Sequence, residues 1–418
     1  MELEKYSLGI GDRFGFEGKA QLRALQMAEA RGVSIVPVWN KSSREHLIIG
    51  TAPEDSRRAA DDAIRACGWA HSYYVDADHI GLKNVDRFIG SCDYFTIDVA
   101  DCIGVPPLPA AASAFLRAMD SYRAAPFPVP VAVPFDVSAN LLSDVTQKYL
   151  HAVAEAGKVY RHIEQMKGKG RFIVEVSLDE AQQPQTPGEL FFILAALAHE
   201  GVPIQTIAPK FTGTFLKGID YVGNKERFTR EFEDDLAVVS HARRIFDLPG
   251  NLKLSIHSGS DKFSLYPIVR RAIRKSGSGI HLKTAGTTWL EEVIGLAATD
   301  GDGLKLAKEV YTEALARFDE LSEPYKTVLD IDTTKLPSAS QVESWSAGEY
   351  VEALRHNQSS LKFNTNFRQL IHIGYKIAAE KNGRFTGLLQ QCRAVIEENV
   401  TANLFERHIL PLFLDQNT

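Results

Sequence analysis

Eight short runs of β-branched and aromatic residues, each closing on polar residues, punctuate the chain. They are Lys5–Gly15, Val33–Asn40, His71–His79, Asp93–Ala100, Arg171–Glu180, Pro203–Lys210, Leu252–Lys262 and Gly279–Thr287. Runs of this length and composition predict strands. Between several of them apolar residues recur at helical spacing, over Ala20–Arg31, Ser56–Cys67, Glu189–His199 and Phe228–Phe246. Eight strands alternating with helices predict an α/β fold, a (β/α)8 barrel of the TIM type. In such a barrel the chemistry sits at the C-terminal strand ends, which is where the polar residues of these runs lie.

Two stretches exceed a minimal barrel. Ser113–Met166 contains the Pro-rich run Ala125–Asp136, whose prolines argue against a central strand, and then a helical pattern over Leu142–Met166. After Thr287 the pattern is helical nearly to the end, over Leu304–Phe318, Ala347–Arg355, Phe367–Glu380 and Ile396–Leu410, with a turn-rich linker at Asp330–Ser340. The expected organisation is a barrel over residues 1–290, an insertion around 105–168, and a helical C-terminal extension over 291–418 packed on the barrel.

Composition narrows the class. With 47 Lys+Arg against 53 Asp+Glu the net charge of the 418 residues is −6, and no basic block stands out. That balance argues against a nucleic-acid or membrane-surface partner. No apolar run is long enough to span a bilayer. The N-terminus lacks the basic-then-apolar pattern of a secretory leader, so a cytoplasmic protein is expected. Cys67, Cys92, Cys102 and Cys392 form no CxxC pair and read as reduced thiols. No Walker A, HExxH or GxSxG sequence occurs, and Gly9, Gly11 and Gly15 miss the dinucleotide spacing.

Strand parity selects the candidate chemistry. Lys253, Ser255 and His257 share one face, opposite Leu252, Leu254 and Ile256, so His257 is expected inside the top of the barrel. Ile173 and Glu175 share an inward face in the same way. Asp76 and Asp78 fall on one face, and His79 joins them only if the chain turns there. Carboxylates and imidazoles on several strand ends suit a divalent ion such as Zn, Mn, Ni or Co. Asp76, His79, Glu175 and His257 are the candidate ligands; structural hydrogen bonds or ion pairs are the alternative for each. Lys210 and Lys283 end strands and could bind an anion or act as acid or base. His281 shares a face with Lys283. Arg13 ends the first strand and could hold an anion. Ser258, Asp261 and Lys262 lie in a polar loop whose backbone N–H groups could meet a carboxylate or phosphate. Asn364, Arg368 and His372 are four residues apart on one helical face, which could close over the barrel mouth or cover another surface.

Several segments together resemble the tagaturonate epimerase family: GIGDRFG (Gly9–Gly15), VDADHIG (Val75–Gly81), Ile207–Asn224, LSIHSGSDKFS (Leu254–Ser264) and GIHLKTAGTTWLE (Gly279–Glu291). The resemblance implies a metal-dependent isomerase that interconverts D-tagaturonate and D-fructuronate in hexuronate catabolism. Related members act on tagatose and fructose. The expected partner is thus a small sugar acid or ketohexose; a homo-oligomer is left open. Counting the ketone as C2, the two uronates differ at C4, whose C–H is not α to the carbonyl. Enolisation therefore cannot epimerise it, whereas a retro-aldol/aldol exchange across C3–C4 can. On that reading Asp78 or another free carboxylate acts as base, with Glu175, Lys210 and Lys283 as further catalytic groups. Arg13, Lys210 or Lys283 holds the C6 carboxylate, and Ser258, Asp261, Lys262, His281, Arg368 and His372 are candidate substrate contacts. The rivals are another metal-dependent sugar isomerase or aldolase, and a non-catalytic carbohydrate-binding barrel.

Overall fold

The computed structural model describes residues 1–123, 139–284 and 286–414. Its eight parallel strands are β1 (Tyr6–Gly11), β2 (Val36–Ser42), β3 (Tyr74–Ile80), β4 (Tyr94–Asp98), β5 (Ile173–Ser177), β6 (Thr206–Ala208), β7 (Lys253–His257) and β8 (Ile280–Lys283). They pair in chain order, and β8 closes on β1 through Ser7↔His281 and Gly9↔Lys283. The (β/α)8 barrel expected from the eight runs is therefore present, each strand lying within or close to its run.

Strand parity divides the barrel into an inner and an outer core. Leu3, Val36, Val38, Tyr74, Tyr94 and Ile173 form a small apolar cluster inside it. Outward residues of the barrel strands, among them Leu8, Ile10, Val75, Leu254 and Ile256, join the large core under the helices. Above this plug ionisable groups collect at the C-terminal strand ends; Lys253, at the lower end of β7, donates instead to the Leu3 and Glu4 carbonyls.

The insertion contributes the helices Pro109–Ala118 and Ala139–Lys167. The Pro-rich run Ala125–Asp136 lies outside the described residues. The helix Pro187–His199 starts with a capping box between Thr186 and Glu189 and Pro at its first turn. It is apolar all round and nearly wholly buried, as a helix wedged between barrel and insertion must be.

The C-terminal extension has its own core, including Trp289, Val293, Ile294, Tyr311, Phe367, Leu370 and Ile377. It is continuous with the barrel because β8 leads through a short loop into the helix Thr287–Ala298. The expected helix over Phe367–Glu380 is instead two, Thr365–Ile373 and Tyr375–Glu380. At the break the Ile371 carbonyl accepts from the Trp289 indole at 2.8 Å as well as from Gly374 N at 2.9 Å, and the His372 carbonyl accepts from Arg13 at 3.3 Å, so both acceptors are shared with partners outside the helix. A short helix, Ser43–Ile49, was not signalled by periodicity; a Ser42–Glu45 capping box and a left-handed Gly50 delimit it. The four cysteines are free, and no helix among the described residues is long and apolar enough to cross a membrane.

Candidate functional site

At the top of the barrel the Lys283 ammonium lies 2.7 Å from Asp76, 2.8 Å from Asp78 and 3.2 Å from Glu175. The Lys283 side chain crosses the barrel beside Gly9. A Cβ there would stand 2.7 Å from Lys283 Cγ, so β1 must carry glycine at that level. Thr96 Oγ1 links the group, 3.0 Å from Asp76, 3.3 Å from Glu175 and 2.5 Å from Lys283 Nζ. Tyr94 donates to Glu175 at 2.9 Å.

These contacts split the carboxyls. Burial opposes charge on every one, and what differs is the neighbour. Burial lifts Asp76 to about 7, with Asp78 and Glu175 adding to the rise against the pull of Lys283. Asp78 overcomes its burial because Lys283 and His79 hold it well below the carboxylate range. Glu175 is likewise held low by Lys283 and His257. Lys283, despite burial, is held protonated by the three carboxylates.

A second cluster adjoins the first. One ligand atom each of His79, Asp179 and His257 lies within 4.8 Å of the others. His79 Nε2 approaches Asp179 at 3.5 Å and His257 Nδ1 approaches it at 3.2 Å. Neither nitrogen makes a hydrogen bond of acceptable geometry, although both are buried. Ligand atoms sharing an ion at bonds of about 2.1 Å sit roughly 3.0–3.5 Å apart, so each imidazole–carboxylate spacing, to one oxygen of Asp179 apiece, is compatible with a cation between them. The other nitrogen of each ring faces a carboxylate: His79 Nδ1 is 3.0 Å from Asp78, and His257 Nε2 is 2.7 Å from Glu175. That carboxylate–histidine arrangement is how metal-binding imidazoles are oriented. The residues thus fit a divalent metal on both counts, unpartnered ligand atoms and backing carboxylates. His79 reaches the mouth through a backbone irregularity. It has φ of +53°, and the β3–β4 register shifts between Ala77 and Ile80, so two consecutive side chains face the same space.

The structure therefore gathers His79 and His257 with Asp179, and Asp76, Asp78 and Glu175 around Lys283. Asp179 was not singled out from sequence. The signal was available, because Ile173, Glu175, Ser177 and Asp179 continue one inward parity past the end of β5. Elsewhere, Arg13 pairs with Glu45 at 2.9 Å and stacks 4.0 Å from the Tyr375 ring centre. Lys210 donates to the Ala181 carbonyl. The Ser258 N–H and hydroxyl both bond to the Lys283 carbonyl, at 3.0 and 2.5 Å. His281 Nδ1 meets Ser7 at 2.9 Å, and burial pushes its pKa down to about 3. Asp261 accepts from Arg368 at 2.6 Å and pairs with His356 at 3.0 Å. The Lys262 ammonium donates to the Leu216 and Ile219 carbonyls at 3.0 and 2.8 Å. His372 is buried with Nε2 unpartnered. Asn364 caps the helix Thr365–Ile373.

Comparison with known proteins gives one direction. The sequence profile of the tagaturonate epimerase family (UxaE) matches residues 1–409. A tagaturonate/fructuronate epimerase from Thermotoga maritima is 28% identical over 421 residues, covering 96% of this chain and 80% of that protein. A fructuronate-tagaturonate epimerase from Cohnella laeviribosi, crystallised with one glycerol, superposes with a TM-score of 0.83 at 26% identity, over 99% of this chain and 82% of the other. The native crystal form of that protein superposes at 0.80 with 24% identity and covers the same shares.

Proposed function

The chain belongs to the tagaturonate epimerase family, and from that premise we propose that it is a divalent-cation-dependent epimerase interconverting D-tagaturonate and D-fructuronate. The observation that carries this reading is the convergence of His79, Asp179 and His257 at the barrel mouth, each imidazole backed by its own carboxylate. A cation held by these three residues would supply Lewis-acid stabilisation of the negative charge that develops on the C1–C3 fragment.

The protein's own groups divide the remaining work. Asp78 is kept anionic by Lys283 and accepts a hydrogen bond from the C4 hydroxyl, whose proton passes to Asp76 by way of Lys283 as the C3–C4 bond breaks and returns when the bond re-forms. Asp76, lifted to about 7 by burial, is poised to take up or return a proton at neutral pH through the shared Lys283. Lys283 offsets charge as the C3–C4 bond breaks. The C4 aldehyde turns its other face and the bond re-forms with C4 inverted. Glu175 acts through His257, holding its ring in place.

The test is incubation of D-fructuronate with the metal-supplemented protein in deuterated buffer, followed by NMR. Carbon–carbon cleavage predicts D-tagaturonate with protium retained at C4. Deuterium at C4 would point to direct C–H abstraction and reject the route. Absence of any conversion, over a panel of Zn, Mn, Ni and Co, would reject the function.

A further inference from the structure

Asp98 closes β4 and belongs to neither cluster at the mouth. Tyr94 and Thr96 of the same strand face the barrel interior, Tyr94 in the apolar plug and Thr96 among Asp76, Glu175 and Lys283. Strand residues two apart share a face, so Asp98 carries that line out to the mouth. There it is half-buried, whereas Tyr94 and Thr96 are fully buried, so a ligand in the mouth can touch it. Its partner across the strands is Ser177, whose hydroxyl donates to Asp179 at 2.5 Å. The charges that bear on it are those of His79, Asp179 and Glu180. Asp98 thus borders the metal cluster, yet it is not one of the three residues whose ligand atoms converge.

The other acids of the mouth are engaged by cationic partners: Asp76, Asp78 and Glu175 by Lys283, and Asp179 by the two histidines. Asp98 accepts one hydrogen bond, from Ala100 N to Oδ1 at 2.9 Å, which fixes the carboxylate within its own turn. Among the described residues no other donor and no cation comes within bonding distance of it. Burial lifts its pKa to about 6, with His79 pulling the other way, so at neutral pH the group is charged and Oδ2 is left to accept.

Exchange across C3–C4 calls for such an acceptor. When the aldehyde turns its other face, its oxygen swings to the other side of the C4–C5 bond. The C4 hydroxyls of the two epimers therefore point in different directions, and Asp78 meets only one of them. A half-turn moves the oxygen by about 2 Å, and a hydrogen bond of about 2.8 Å at each end sets the two acceptors up to about 8 Å apart. Ala77 pairs with Phe95, which puts Asp78 level with Thr96 and Asp98 two residues higher on the neighbouring strand. Two residues rise about 6.6 Å and adjacent strands stand about 4.8 Å apart, so the two carboxylates spring from points about 8 Å apart. One C4 oxygen in two orientations spans that distance.

We propose that Asp98 accepts the hydrogen bond of the C4 hydroxyl in one epimer, as Asp78 does in the other. The inference rests on the epimerase reading above. Asp98 makes and breaks no covalent bond: C3–C4 opens and closes as described, and this carboxylate holds the C4 oxygen in the orientation that the turned aldehyde adopts.

The test is steady-state kinetics in both directions for the wild type, Asp98→Ala, Asp98→Asn and Asp78→Asn, with bound metal measured in each. The equilibrium constant is fixed, so any loss of kcat/KM is equal in the two directions. A contact made with one epimer alone divides that loss: KM rises for the epimer that is touched, and kcat falls for the other. Asp98→Ala should lose about 10- to 100-fold in kcat/KM, divided in this way and with its metal retained. Asp98→Asn should recover part of the loss, because its amide oxygen still accepts. In Asp78→Asn the division should be reversed between the two substrates. An unchanged kcat/KM, a loss carried by kcat in both directions, a division the same way round in both variants, or loss of metal from Asp98→Ala would overturn the assignment while wild-type turnover left the epimerase reading standing. A wild type that converts neither uronate would overturn both.

Discussion

Around Asp261 and around Lys283 the chain buries charge in two different ways. At the seam between barrel and extension, Asp261 faces Arg368 at 2.6 Å, and the other guanidinium nitrogens donate to the Gly218 and Leu354 carbonyls at 2.6 and 2.7 Å. Thr287, His356 and His408 also approach Asp261, at 3.1, 3.0 and 3.4 Å. One anion meets one cation, and both are fully buried. At the barrel mouth, Asp76, Asp78, Glu175 and Asp179 face one lysine and two histidines, and two imidazole nitrogens stay without hydrogen bonds. A balanced cluster suits a joint in the fold. An acidic surplus suits a cluster completed by a cation.

The comparison breaks most sharply at the mouth. His257→Ala should lower kcat by about 1,000-fold or more and remove bound metal. Activity assays paired with elemental analysis check this; full activity with full metal content would place the cation elsewhere. The seam should respond in the opposite sense. Arg368→Met strands the Asp261 carboxylate and should cost about 3–5 kcal/mol of stability. Chemical denaturation measures that loss, and the folded fraction should retain its metal.

Two smaller effects sharpen the contrast. Buried carboxyls without a cation should hold protons instead. Glu17 is raised by burial and by Asp12 to about 8, Glu291 by burial to about 7, and Glu292, with both oxygens unpartnered, well above its usual range. A folded pKa above the unfolded one gives stability that is complete below about 4.5 and lost as pH rises through the folded value. Tm should therefore fall between about pH 5 and 8, and Glu292→Gln should flatten that slope. Smaller still, Thr96→Val removes the hydroxyl that links Asp76, Glu175 and Lys283, and should lower kcat by about 10-fold while leaving the fold intact.

How much of this was legible in the sequence depended on distance along the chain. Period-two alternation placed Glu175, His257, Asp76 and Asp78 on the inner face, because each strand's register carries that information locally. His79 needed a left-handed residue and a register shift, which alternation does not encode. Asp179 was within reach of the same parity rule, one step past the strand. Arg368 and Asp261 are 107 positions apart, and neither one's spacing reveals that each neutralises the other. Helix breaks in the extension were likewise hidden, since the Ile371 carbonyl is claimed by a residue far away in the chain.

On the proposed function, the surplus of carboxylate at the mouth holds a cation that the epimerisation requires. The direct measurement is a titration of chelator-treated protein with a divalent ion, following D-fructuronate conversion in the wild type and in His257→Ala. Activity should disappear on chelation and return to a plateau near one ion per chain in the wild type alone. Conversion that persists without metal, or that returns equally in His257→Ala, would contradict it.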